Sequence, residues 1–347
     1  MRGLRKYLTP FAPDQSGAVS VLFELGGIVV ICDAGGCTGN VCGFDEPRWF
    51  EQKSAIFSAG LRDMDAILGR DDRLVAKLAD AAEKVDATFA AVIGTPVPAV
   101  IATDYLALKR MSEKKINLPI LTVNTDGMEH YDKGEEKAFL ELFRTFAVEK
   151  YPVDEHRIGI LGMTPQDVSD LKAADKMREL FQQKYDQQAV CYGMGDGLEE
   201  IKKASSASKN IVVSPAALVA AQYLEKTFGT PYEISYPLAG ELIPEMDYTG
   251  KKILVVHQQV IADSIRRELL KKGAKRVQIA SWFMMKKELL ADGDVLLRDE
   301  DAYIELVQNG DFDIIFADGC MERMIPEFKG IFVDTRHFAV SGKLIGK

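Results

Sequence analysis

GIVVICDAGGCTGNVCGF, residues 27–44, opens as a strand and closes as a glycine-rich loop. Gly27 to Cys32 is a short run of β-branched apolar residues, the pattern of a strand buried on both faces. Cys32 ends that strand, and Cys37 and Cys42 follow at intervals of five in the loop beyond it. Loops at the carboxyl ends of parallel strands are where α/β proteins hold their functional groups. The glycines at 35, 36, 39 and 43 let backbone come close to a ligand and offer amides to it. Clustered thiolates ligate iron–sulfur clusters or zinc. The spacing matches neither paired C-x-x-C zinc knuckles nor the bacterial ferredoxin run, so three thiols without a metal stay open as a reading. A four-iron cluster wants four ligands and the loop offers three. Asp33, Thr38, a small molecule or a thiolate of a second subunit are the candidates for the fourth.

The rest of the chain repeats the pattern of strand, loop and helix. The first round holds the helical run Asp72–Val85 and the strands Thr88–Gly94 and Leu118–Asn124, then a helix from about Glu135 to Val148. A second opens at Arg157–Gly162 and runs through Ala189–Gly193 and Asn210–Ser214 to the helix Pro215–Gly229. A third holds the strands Lys252–His257, Arg276–Trp282 and Asp313–Gly319, with a helix over Val260–Gly273. Alternating strands and helices imply parallel sheets. The fold class is therefore α/β with three Rossmann-like domains, over residues 1–150, 151–245 and 246–347.

Length agrees, because 347 residues exceed one ordinary core. A net charge of −9 argues against nucleic acid or an anionic membrane as the main partner. No apolar run is long enough to span a bilayer, and the basic start lacks the apolar core of a signal peptide. The expectation is a cytoplasmic protein, where clustered cysteines more often hold metal or do redox work than form disulfides.

From residue 15 to 343 the order of motifs resembles component 1 of nitrogenase and its relatives, among them the dark-operative protochlorophyllide reductase and the nickel-sirohydrochlorin reductive cyclase. GGIVVICDAGGC stands for the family's glycine-led strand and cysteine loop. DAILGRDDRL, TPVPAVIATDY and LPILTVNTDGM follow in family order, and DIIFADGCMERMI with GIFVDTRHFAVSG closes the series. The resemblance implies that Cys37 ligates an interface iron–sulfur cluster, a [4Fe–4S] or a larger bridging one, with Cys32 and Cys42 gathered beside it. The family's other two cluster cysteines fall near Phe11 and Thr95 and are absent. The cofactor cysteine falls near Val213 or Ser214 and is also absent, which argues against nitrogen fixation. His337 lies close to the family's cofactor histidine, and Cys320 ends a strand facing the same cleft. Both are candidates to bind a cofactor or substrate.

The resemblance further implies a reductase component that takes electrons from an ATP-dependent iron protein and reduces a small molecule or tetrapyrrole. It implies a homodimer or a heterodimer of close paralogues, with the cysteine loop at the interface. The alternative is a non-catalytic carrier or assembly scaffold for a metal cluster or tetrapyrrole. No catalytic residue is singled out. GMGDGLEEI, residues 193–201, has the look of a phosphate cradle before a helix, without the full dinucleotide fingerprint. Cys191, inside an apolar strand, reads as packing.

Overall fold

The computed structural model describes residues 5–52 and 54–346. Its thirteen strands form three parallel sheets. The first has the order β2-β1-β3-β4, with β1 Ile28–Ile31, β2 Ala55–Ser58, β3 Ala90–Ile93 and β4 Ile120–Val123. The second has the order β6-β5-β7-β8, with β5 Asp154–Leu161, β6 Gln188–Cys191, β7 Ala207–Val212 and β8 Tyr232–Ile234. The third has the order β11-β10-β9-β12-β13, with β9 Lys252–Val256, β10 Arg276–Ser281, β11 Val295–Leu296, β12 Ile314–Ala317 and β13 Ile331–Asp334. All the pairings within these sheets are parallel, as helical crossovers require.

The pleat of β1 divides its side chains between two cores. Val29 and Ile31 face one, with Phe139, Leu142 and Phe143 of the helix Tyr131–Phe146. Ile28, Val30 and Cys32 face the other, with Leu74, Leu78 and Leu108 of the helices Asp71–Lys84 and Tyr105–Glu113. Successive side chains of a strand point to opposite faces, so the position of Cys32 follows from strand register alone.

The helix Tyr131–Phe146 joins the sheets. It crosses the helix Asp14–Leu22 so closely that a Cβ on Gly17 would lie 1.9 Å from the Tyr131 carbonyl oxygen. A Cβ on Gly134 would lie 1.7 Å from the Asp14 carbonyl oxygen, so only glycine fits at either position. The first turns of the Tyr131–Phe146 helix thereby reach the second and third sheets. Asp132 accepts a hydrogen bond from the Met284 amide at 2.6 Å, and Glu135 accepts one from the Thr164 hydroxyl at 2.6 Å.

Candidate functional site

Beyond β1 the chain forms a helix over Gly36–Asn40 that widens into a π-helical turn at Val41–Asp45. Asp33 holds this segment in place. Its buried carboxylate accepts from the Thr38 amide at 2.7 Å, the Thr38 hydroxyl at 3.0 Å and the Ser58 hydroxyl at 2.6 Å. Ligation by Asp33 would compete with these three bonds, and the Thr38 hydroxyl is held as a donor to Asp33. At the far end Asp45 accepts from Ser16 and Asn40, and its carbonyl accepts from the Gln166 side-chain amide at 2.5 Å. Such π-turns are uncommon and concentrate at functional sites. Here the turn carries Cys42.

The chain then drives Arg48 into the interior. Its guanidinium donates to Glu46, to Glu24 at 2.7 Å and to the Ser20 carbonyl at 2.6 Å. A buried cation is stable only when paired and hydrogen-bonded in this way. Glu24 also accepts from the Gly195 amide at 2.6 Å, and Asp196 accepts from the Cys191 amide at 2.7 Å. One carboxylate therefore occupies an amide of the 193–201 loop and another, Asp196, lies within it, so an anion would meet their charge. The expected phosphate cradle is a structural turn instead.

The three loop cysteines do not converge. Cys32 is buried beneath the helices of the second core, where burial pushes its thiol up to about 12. Cys37 and Cys42 are half-buried and pack on the opposite core. Burial raises both thiols. Asp33 adds to the rise at Cys37, whereas Thr95 beside it offsets part, and Glu46 and Asp33 add to it at Cys42. Thr95 stands at one of the positions where the resemblance places a missing cysteine. Among the described residues of one chain, no group of three or more His, Cys, Asp or Glu side chains is arranged to hold a metal ion. The cysteine loop of a single chain presents two accessible thiols, half of what a four-iron cluster takes.

Several large apolar side chains are exposed, among them Phe44 in the same turn as Cys42. Val100 is 85% exposed, Met128 82%, and Phe44 and Phe50 77% each. Phe44 and Phe50 also rim a cleft of about 980 Å³ between the cysteine segment, residues 9–13, Gln166 and the final helix. Phe11, at the other position of a missing cysteine, Phe338 and Lys343 line it too. Gln166 is fully buried in its wall, and its Oε1 has no hydrogen-bond partner among the described residues.

His337 lies behind this cleft, buried. Its Nε2 meets the Tyr131 hydroxyl at 3.0 Å, and its ring stacks on His257 with centroids 4.2 Å apart. Tyr131 donates to Asp167, whose Oδ1 is 3.6 Å from His337 Nε2. Burial holds His257 well below its usual range, and His337 beside it adds to the effect. Cys320 is the second residue of the 3-10 turn Gly319–Met324 after β12, packs on the third core, and does not line the cleft. Sequence reasoning missed Glu135, Asp167 and Gln166. They carry no motif, and a polar residue inside an apolar pattern is the only trace they leave.

Two comparisons place this architecture. The chain superimposes on solved structures described as "Nitrogenase Cp1 at pH 6.5" and "Nitrogenase Cp1 at pH 5", with TM-scores of 0.73 and 0.69. The identities are 12% and 15%; each alignment covers 96% of this chain, and 87% and 84% of the respective nitrogenase chains. The fold is that of nitrogenase component 1. A comparison with curated protein sequences finds no match. The family model for nitrogenase component 1 type oxidoreductases matches residues 14–242, and the chain belongs to that family. It is an oxidoreductase of this class, and membership implies iron–sulfur clusters. Among the described residues no helix is long and apolar enough to cross a membrane.

Proposed function

We propose that Cys37 and Cys42 of two identical copies supply four thiolates to one [4Fe–4S] cluster, and that the protein uses it to reduce a small molecule in the cleft. The carrying observation is the placement of the thiols. Two are half-buried and pack on one core, and the third is buried in the core on the other face of its strand. In this reading Cys32 packs beneath the site and does not ligate. An isologous dimer, the commonest symmetry of soluble oligomers, brings the two half-sites together. The exposed Phe44, in the same turn as Cys42, favours such burial, at about 25 cal/mol per Å² of apolar surface removed from water.

Family membership supports an ATP-dependent iron protein as electron donor. The chain's own part is to hold the cluster, exclude water from it and seat the substrate. The cluster would supply electrons one at a time. The Cys37 and Cys42 thiols are raised by burial, so ligation must displace their protons, and iron binding will weaken as pH falls. The aromatic lining of the cleft suits a conjugated molecule such as a tetrapyrrole. Cys320, in this reading, has no ligand role.

The test is reconstitution under anoxic conditions. Cys37→Ser and Cys42→Ser should each lose most of the iron while keeping the fold, and Cys32→Ala should keep it. Loss of iron in Cys32→Ala, with the fold intact, overturns the two-thiol reading. Turnover with a reductase partner separates an enzyme from a cluster carrier.

A further inference from the structure

Behind the cleft wall lies a pair of buried carboxyl groups that the proposed cluster site does not use. Glu135, on the helix Tyr131–Phe146, is fully buried. Its Oε1 accepts from Thr164, and its Oε2 has no partner among the described residues. Asp167, on the short helix Pro165–Val168, is 1% exposed. Its Oδ1 accepts from Tyr131, and its Oδ2 likewise has no partner. Two acceptor-only oxygens in one dry region are costly unless a proton makes one of them a donor. Two neighbouring carboxylates repel, and a shared proton relieves that as well.

The groups facing the pair come from every sheet. Tyr131 and Asp132 share the helix of Glu135, and His337, stacked on His257, comes from the third sheet's side. Tyr236 on the second sheet's side feels Asp167. The facing cation is Arg48 of the cysteine segment, which favours the ionised form of Glu135. Burial, and then Asp167, outweigh it and hold Glu135 well above the usual carboxylate range.

The helix Pro165–Val168 links the pair to the cleft. Thr164, just before it, binds Glu135. Gln166 lies in the cleft wall and donates to the end of the cysteine turn, and Asp167 binds Tyr131.

We propose that Glu135 and Asp167 hold one exchangeable proton between them and release it toward the ligand reduced in the cleft. The inference rests on the reading of the cleft as the reduction site. In the step, the Glu135 O–H bond breaks and an X–H bond forms on a ligand atom that has taken an electron through the iron–sulfur route. Glu135 is left as a carboxylate and is re-protonated from solvent through the cleft. One proton then accompanies each electron.

The iron-free full chain is sufficient for the test, so its outcome is separable from that of the cluster assignment. Infrared spectra at pH 7 should contain a carboxylic acid band that shifts in D₂O, is absent from Glu135→Gln and moves in Thr164→Val, where Oε1 loses its donor. Circular dichroism checks that both variants fold. On mixing with D₂O the acid should exchange at least about 1,000-fold faster than the core amides of its own helix, which open only with the global fold. Gln166→Met should slow that exchange about tenfold by closing the wall. Absence of the band at pH 7, its persistence in Glu135→Gln, or exchange as slow as the core amides overturns the proposal.

Discussion

Cys32 and Cys37 stand five residues apart, yet they sit in different physical environments. Strand register sends Cys32 down with Ile28 and Val30, and the turn lifts Cys37 beside Thr95. A serine at 32 would bury a hydroxyl among apolar side chains, at about 1–3 kcal/mol. Cys32→Ala removes only the sulfur and should cost less, so urea midpoints should rank wild type above alanine above serine. Arg48 makes the opposite case. Arg48→Met leaves Glu46 buried without its cation, and breaking such a pair costs about 3–5 kcal/mol. A urea midpoint unchanged from wild type would contradict that account. The sequence made Cys32, Cys37 and Cys42 look alike, because spacing records neither pleat nor depth.

At the scale of elements, the contact between helices Asp14–Leu22 and Tyr131–Phe146 is set by two glycines. Gly134→Ala would force its Cβ into the Asp14 carbonyl, so one helix must move. Overpacking costs about 1–3 kcal/mol, and against backbone the upper end is expected, so the melting temperature should fall accordingly. The same substitution at Gly240, which has open space around it, should leave stability nearly unchanged. Most interior strands were legible in the sequence. β1, β3, β9 and β12 are apolar runs buried almost throughout, β7 ends in one, and periodicity finds such runs. The four strands that the reading passed over, β2, β8, β11 and β13, all lie at sheet edges. Each is partly exposed and only two to four residues long, and all but the two-residue β11 mix polar with apolar residues, so neither alternation nor an apolar run marks them. The buried acids of the junction were invisible for a related reason. Their meaning lies in contacts between residues about thirty to two hundred positions apart.

The whole molecule carries buried titratable groups whose pH dependences oppose one another. Glu135 is raised above its ordinary 4.5, so its contribution is full below pH 4.5 and is lost as pH rises. His257 is lowered from 6.5, so its contribution is full above pH 6.5 and is lost as pH falls. Thermal stability should therefore decline on both sides of a maximum. Glu135→Gln should raise the melting temperature at pH 8 more than at pH 5, while Asp14, Asp45 and Asp132, also raised by burial, keep part of the alkaline decline. An equal shift at both pH values would contradict the buried-acid account.

The same scale holds the central claim, that two thiols per chain make one cluster between two chains. Sedimentation of the anoxically purified protein, with iron and sulfide measured on each fraction, tests it most directly. The account predicts a dimer that carries four irons and dissociates when the iron is chelated or Cys37 is replaced by serine. A monomer that retains a full cluster would contradict it.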